Sequence, residues 1–371
     1  MNRNGINMAR VKKQNRSLVL RYMNSHSNAS RKEIAEATGL TPAAVTQICN
    51  DFLDMGLIKE CGTDDDEAKG AGRRKVKVQI NRDYAYIIGI NIELENTYVV
   101  ITDLSGNVYS SSRLNTSEAK DIDAFIDRIA QSIDAAFKLN PDMKEKVIGG
   151  CVSIVGKVDR ERGVSLHAYG IWDEEVSLCE MLEQRLGFTF IIENNMDAFA
   201  NAEIIYGTGS IYDNVLVIKW APGVGCSIII DNKIYEGRNG RSAELGHFIV
   251  EKNGKKCFCG RKGCLETKIS VRAMEEKKRF DVENFADVYE DFDDEIDLFA
   301  RTLVNTMSIL EPNRVVLSGK LFADKNVRER FVEHCMSYDS RYNEKRILHS
   351  SLAYRENYIG PIATYIEREL F

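Results

Sequence analysis

Twice in the 371 residues the same succession of apolar and polar runs recurs. From Ala85, "AYIIGINIELENTYVVITDLSGNVYSSSRL" reads as strand, turn, strand, turn, strand. The stretch "DIDAFIDRIAQSIDAAFKL" then puts Ile122, Phe125, Ile126, Ile129, Ile133 and Phe137 on one helical stripe. "VIGGCVSIVG" follows as a continuous apolar strand, the kind buried on both faces. From Asn214, "NVLVIKWAPGVGCSIIIDNKIYEG" repeats the three-strand pattern, and the helical "EIDLFARTLVNTMSILEP" precedes a second buried strand, "RVVLSG". Two copies of meander, helix and strand predict two similar α/β lobes with a cleft between them, where ligands commonly bind.

The segment before the repeats has another character. Residues 1–83 carry 15 Lys and Arg against 10 Asp and Glu, while the rest carries 35 against 46. A basic head on an acidic body suggests a small nucleic-acid-binding module. Its pattern agrees. Leu18, Val19, Tyr22 and Met23 form one apolar face over residues 15–25. Ser30 with Glu33 makes a capping box, and Gly39 ends that helix. Thr41 caps a third helix over 41–54, with Pro42 at its first position and Gly56 beyond its end. Val45, Ile48, Phe52 and Leu53 are expected to point inward, leaving Pro42, Ala43, Thr46 and Gln47 outside.

Two helices joined by a Gly-containing turn, the second polar outside, match a helix-turn-helix. "LIKECG" and "RRKVKVQINRD" then read as a hairpin, a wing with Arg73, Arg74 and Lys75 beside its tip. On this reading Thr46 and Gln47 face base edges in the major groove; Arg31, Thr41, Pro42 and Ala43 lie on the same surface, and Arg73 and Arg74 reach phosphates or the minor groove. A three-helix protein-interaction domain is the alternative.

In "KCFCGRKGCLE", Cys257, Cys259 and Cys264 gather around Gly260 and Gly263, ten residues after His247 of "AELGHF". The amino-terminal "MNRNGINMARVKKQNR" has no apolar core of a secretory signal, and no apolar run approaches the roughly 18–20 residues of a membrane span. A cytoplasmic protein with reduced thiols is therefore expected, and so tight a cluster binds metal more readily than it forms disulfides. His247, Cys257, Cys259 and Cys264 supply a Cys3His set for a structural Zn2+ with no open coordination position. Zinc would join the "ELGH" and "GCLE" loops and hold Glu244 near Glu266.

A winged helix-turn-helix followed by two lobes, with "ELGH" and "CFCGRKGCLE" in the second, resembles the ROK family (repressors, open reading frames, kinases). Within it the chain looks like the repressors of sugar catabolism, xylose repressors among them, and the likeness covers essentially the whole chain. The resemblance implies an α/β fold: the winged helix-turn-helix (1–83), then a two-lobed actin-like ATPase (ribonuclease H-like) fold. Lobe 1 would span 84–195 and lobe 2, with the zinc site, 196–371, the C-terminal helix being able to return to lobe 1. It also implies a sugar pocket lined by Glu244, His247, Glu266, Asn194 and Asn195. Tyr169, in "HAYGIWD", stands where relatives often have Asn before Trp, and either stacks on a sugar or fills its space.

The chain departs from the family's kinases at three places. Their D-x-G-G-T phosphate loop is "GINIELENT" here, so Asn91 replaces Asp, and Glu93, Leu94 and Glu95 replace Gly-Gly-Thr. Their catalytic base is an Asp where Asn195 stands, and an amide cannot take a hydroxyl proton. The second phosphate loop survives only in part as "APGVGC", and the late Gly-Gly turn reads Ser318 to Lys320. The expected function is a sugar-responsive repressor of carbohydrate catabolism, not an enzyme, acting as a homodimer or a pair of dimers on a palindromic operator in double-stranded DNA. Its effector would be a sugar or sugar phosphate. The alternatives are a sugar kinase with a DNA-binding head, or a repressor released by a protein partner.

Overall fold

In the computed structural model, residues 8–26, 28–63, 76–207, 212–220, 222–238 and 242–370 are described. The head begins with helix α1 (Met8–Ser25) and a short strand β1 (Ala29–Ser30). Ser30 accepts from the Glu33 amide and Glu33 reaches back to the Ser30 amide, so the capping box starts α2 (Arg31–Thr38). Gly39, at φ 68°, turns the chain in the left-handed region, and the Thr41 side chain caps α3 (Pro42–Asp54). Strands β2 (Ile58–Thr63) and β3 (Val76–Ile80) pair antiparallel, and β1 pairs with β3. Arg73, Arg74 and Lys75 lie outside the described residues.

One expectation for the head is corrected. The first helix starts at Met8, well before residue 15, because its early turns are held by polar contacts that leave no apolar stripe. Lys12 pairs with Asp51 at 3.8 Å, Lys13 donates to the Arg368 carbonyl at 3.3 Å, and the Arg16 guanidinium lies over the Phe52 ring. In α3, Val45, Ile48 and Phe52 point inward as expected, Cys49 is enclosed with them, and Leu53 packs partly buried against the same core.

The body contains two five-stranded sheets of the same design. In the first, β4 (Tyr86–Ile92), β5 (Asn96–Thr102) and β6 (Val108–Asn115) form the meander. Helices α4 (Ile122–Leu139) and α5 (Pro141–Glu145) lead to β7 (Val147–Ile154). A hairpin of β8 (Lys157–Asp159) and β9 (Val164–His167) and helix α6 (Leu178–Leu186) lead to β10 (Phe190–Asn194). The sheet order is β10-β7-β4-β5-β6, with β4, β7 and β10 parallel.

After helix α7 (Asn195–Tyr206), the second sheet repeats the scheme with β11 (Val215–Trp220), β12 (Val224–Ile230) and β13 (Lys233–Ile234). Short helices α8 (Glu266–Ile269) and α9 (Val271–Glu275) precede α10 (Asp293–Leu310). Strand β14 (Arg314–Ser318), helix α11 (Lys325–Tyr338) and β15 (Ile347–His349) complete the order β13-β12-β11-β14-β15, with β11, β14 and β15 parallel. The fold is thus a winged helix-turn-helix joined to a duplicated, actin-like α/β body. Among the described residues no helix is long and apolar enough to cross a membrane.

The last helix, α12 (Ile359–Glu369), packs on α7 and on β4 and β7 of the first sheet. Gly89 permits this, since a Cβ there would lie 2.8 Å from Ile362 Cδ1. One buried apolar cluster runs from Val19, Ile34, Val45 and Phe52 of the head to Phe199, Ile205, Ile362 and Ile366 of α7 and α12. Ser17 and Arg21 of α1 both donate to Glu367 Oε2, at 3.1 and 3.2 Å. Ile362 is fully enclosed. Ile362→Ala is expected to cost about 2–5 kcal/mol, measured by urea unfolding; an unchanged midpoint would show that α12 is not part of the cooperative core.

Candidate functional site

The outer face of α3 presents Thr41, Pro42, Ala43, Thr46, Gln47 and Asn50, all exposed. The small residues Ala43 and Thr46 leave the helix backbone open to close approach by a partner. The Thr46 hydroxyl donates to the Pro42 carbonyl at 2.8 Å, and the Gln47 amide donates to Asp51 Oδ1 at 2.8 Å. Arg31, at the start of α2, holds Asn50 Oδ1 at 3.4 Å. The six described residues proposed for DNA contact therefore fall on one side of the head.

The thiol cluster forms beside the start of β12, against which its 3-10 turn packs. A 3-10 turn, Leu245–His247, brings the imidazole beside the Cys257–Cys264 loop. Gly263, at φ 74°, allows the strand-like return: a Cβ there would meet the Glu251 carbonyl oxygen at 1.8 Å. His247 Nδ1 lies 3.5 Å from Cys257 Sγ, and Cys259 and Cys264 sulfurs are 3.7 Å apart. All four potential ligand atoms lie within 4.8 Å of one another. Tetrahedral zinc requires S···S edges of about 3.8 Å and S···N edges of about 3.6 Å, so the donor set and its spacing fit that ion. Beside it, Arg261 donates to Glu244 Oε2 at 2.5 Å and to Cys259 Sγ at 3.4 Å.

The carboxyl ends of β4, β7 and β10 face those of β11 and β14, as the Glu93–Lys219 contact shows, and this is the edge at which open α/β sheets bind ligands. Just past β4, Glu93 crosses to the second sheet and meets Lys219 Nζ of β11 at 2.9 Å. Asn195 Nδ2 donates to both Glu93 oxygens, at 3.2 and 3.3 Å, and Asn91 Nδ2 donates at 3.4 Å. Burial opposes charge on Glu93, but the Lys219 ammonium and these amides outweigh it and hold the carboxyl below its ordinary range. Burial likewise opposes charge on Lys219, and Glu93 and Glu356 keep its pKa above the ordinary value. Glu356 Oε2 accepts from the Gly319 amide at 2.9 Å and from the Ser318 hydroxyl, at the end of β14, the register partner of β11.

The residues proposed for the sugar separate into two groups. Tyr169, from the loop after β9, meets the His247 ring edge-on, with centroids 5.7 Å apart, so the two sequence segments converge. Glu266 turns one oxygen toward the Val224 amide at 3.5 Å, and its burial raises the carboxyl above its ordinary range. Asn195 opens α7 against Glu93. Asn194 is different: its Oδ1 accepts from the Met196 and Asp197 amides and its Nδ2 donates to the Gly156 carbonyl, which is a helix cap.

Sequence reasoning missed a buried charge cluster behind the crevice. The fully buried Glu193 accepts from Arg160 Nε at 2.7 Å and also pairs with Arg368 of α12. Arg160 reaches Asp197 Oδ2 at 2.8 Å, and Asp197 Oδ1 accepts from Ser227 of β12 at 2.7 Å. For the separate Glu93–Lys219 pair a signal was available, since Lys219 is a lone cation in the apolar run "VLVIKW".

The ROK family profile matches residues 87–363, and a winged helix-turn-helix DNA-binding profile matches residues 13–59. The chain is 29% identical over 269 residues to the xylose repressor of Bacillus subtilis (strain 168), covering 71% of this chain and 67% of that one. It is 30% identical over 274 residues to the DNA-binding transcriptional dual regulator NagC of Escherichia coli (strain K12), covering 73% of this chain and 66% of that one. Both matches thus span about two thirds of the relatives' own length. Among solved structures, a ROK family transcriptional regulator, a homologue of the E. coli MLC protein, superposes with TM-score 0.73 over 95% of each chain at 22% identity. A ROK family glucokinase from Streptomyces griseus, in complex with glucose and AMPPNP, superposes with TM-score 0.60 at 23% identity, covering 76% of this chain and 98% of its own.

Burial, reinforced by Glu193, pushes the Asp197 carboxyl up to about 6, against about 3.9 in an unfolded chain. The native state therefore binds this proton more tightly, and the residue's contribution to stability falls as pH rises from about 4 to about 6. The unfolding free energy of the wild type minus that of Asp197→Asn is expected to decline across this interval in urea titrations. A difference that rose with pH, or stayed flat, would refute the assignment.

Proposed function

The chain belongs to the ROK family, and we propose that it is a DNA-binding transcriptional repressor whose operator affinity is set by a sugar bound between the lobes. The observation that carries this reading is the continuous core joining a capped helix-turn-helix to α7 and α12, the helices at the lobe boundary. A ligand that favours one lobe arrangement then acts on DNA affinity through its differential binding to the two states. The names of the relatives, a xylose repressor and NagC, support carbohydrate catabolism as the controlled process.

In this reading α3 enters the major groove, with Thr46 and Gln47 at base edges and Thr41, Pro42, Ala43 and Arg31 near the backbone. Arg73 and Arg74 of the wing add phosphate or minor-groove contacts. A homodimer, alone or paired into a tetramer, would read a palindrome. Tyr169, Asn195, Glu244, His247 and Glu266 line the sugar pocket, and Asn194 holds its α7 wall in place. His247, Cys257, Cys259 and Cys264 hold one Zn2+, which when bound fixes the two loops and supplies no open position for chemistry. Phosphoryl transfer is not assigned to this chain, since Asn195 replaces a base and its amide is engaged with Glu93. The protein is expected to act in the cytoplasm.

In a gel-shift assay with duplexes selected from a random pool, wild-type protein is expected to prefer its selected site over random competitor. Gln47→Ala should weaken that site by about 1–3 kcal/mol and relax the base choice at one position of each half-site. Equal binding to random duplex would refute the DNA reading, and carbohydrate-dependent ADP release would favour a kinase. Purified protein should contain one zinc per chain by emission spectroscopy, and Cys264→Ser should lose it together with thermal stability. Metal-free protein with unchanged melting would refute the zinc site.

A further inference from the structure

We infer that the crevice takes an uncharged, hydroxyl-bearing ligand, a free sugar and not its phosphate ester, because the chain's own Glu93 and Glu356 already occupy the groups that would receive an anion. The inference rests on the sugar-responsive reading and names the class of effector. A phosphate group needs cations and N–H donors. At the carboxyl ends of the strands those groups are Lys219 Nζ, the Gly319 amide, the Ser318 hydroxyl and the amides of Asn91 and Asn195. Each already donates to one of the two carboxylates: Lys219, Asn91 and Asn195 to Glu93, and Gly319 and Ser318 to Glu356.

Of the other described cations at this edge, two are already paired: Arg261 with Glu244, and Arg160 with Glu193, Asp197 and Glu236. Lys157 lies over the Tyr169 ring, 5.9 Å from its centroid. Among the described residues named here, Glu93, Glu244, Glu266 and Glu356 thus stand against Lys219, Arg261 and Lys157. A phosphate monoester carries about −1.5 to −2 charge and almost only acceptors. Bound here it would face carboxylates, or would have to expel Glu93 from the hydrogen bonds of its three donors, Lys219, Asn91 and Asn195. A sugar hydroxyl has a proton to give, and Glu266 and Glu244 are acceptors. The same arrangement ties the lobes, since Glu93 belongs to the first sheet's side and Lys219 to the second.

The test titrates full-length protein by calorimetry with D-xylose, D-glucose and N-acetyl-D-glucosamine, and with D-glucose 6-phosphate and N-acetyl-D-glucosamine 6-phosphate. Operator binding is followed in parallel by gel shift. At least one free sugar is expected to bind, and any phosphate ester should bind at least about 100-fold more weakly than its parent, as uncompensated like charge requires. In Glu93→Gln/Glu356→Gln, with Lys219 released, the gap between a phosphate ester and its parent should narrow by about tenfold or more. An ester that binds wild type more tightly than its parent overturns the inference while leaving the repressor reading intact. Binding of none of the five compounds, with operator binding retained, overturns it too. Loss of specific operator binding is a separate result that falls on the repressor reading alone.

Discussion

Helix α7 is buried on every side, and the arrangement of the whole molecule follows from what surrounds it. It begins at the end of β10, in the first sheet, and packs against β11, β12 and β13 of the second. On another side it carries α12, and α1 of the head rests against it as well. Such a helix can have no polar face. Its polar residues must find partners inside the protein, and they do: Asp197 with Arg160 and Ser227, Asn201 with Thr364, and Glu203 with Ser350. These contacts come from elements of both sheets and from α12, so moving one lobe against the other disturbs several of them together.

Two sets of charge divide the work at the lobe boundary. The cluster of Arg160, Glu193, Asp197 and Arg368 lies behind the crevice and links β10, α7, α12 and the β8–β9 hairpin. Removing one member would leave a buried charge uncompensated, so the set behaves as a unit. The Glu93–Lys219 pair lies in front, across the opening. The second joins the first sheet's side to the second sheet directly. The thiols lie apart from both sets, gathered beside His247, whose ring meets Tyr169 edge-on.

The elements of both sheets could be read from the chain because their signals are local. Alternation, continuous apolar runs and tight turns gave β4 to β7 and β11 to β14, and the stripe of α4 buries Phe125, Ile126, Ile129, Ile133 and Phe137. The caps of α2 and α3 are equally local, Ser30 with Glu33 and Thr41 with Ala44. Helix α7 gave no such signal. Its interior is apolar all round, with Asp, Asn and Glu interspersed, so no period marks it and "ENNMDAFANAE" can be taken for a turn. The early turns of α1 were hidden for the opposite reason, being polar and held by Asp51, Phe52 and Arg368.

The same distinction applies to the candidate sites. The candidate metal-ligand set was legible because its four residues lie within 18 positions and their donor chemistry is specific. The roles of Glu93 and Asn194 were not. Glu93 was visible only as a carboxylate where phosphate would be repelled; its ammonium partner lies 126 residues away. Asn194 has the composition of a sugar ligand and the geometry of a cap. Sequence by itself determined the strands and helices with a local period, the duplicated lobes and the thiol cluster, because those depend on neighbours along the chain, whereas α7 and the early turns of α1 did not show themselves. Tertiary structure alone decided which charges meet, since ion pairs such as Arg21–Glu367 and Glu193–Arg368 join residues from distant segments whose contact depends on how the lobes and head pack.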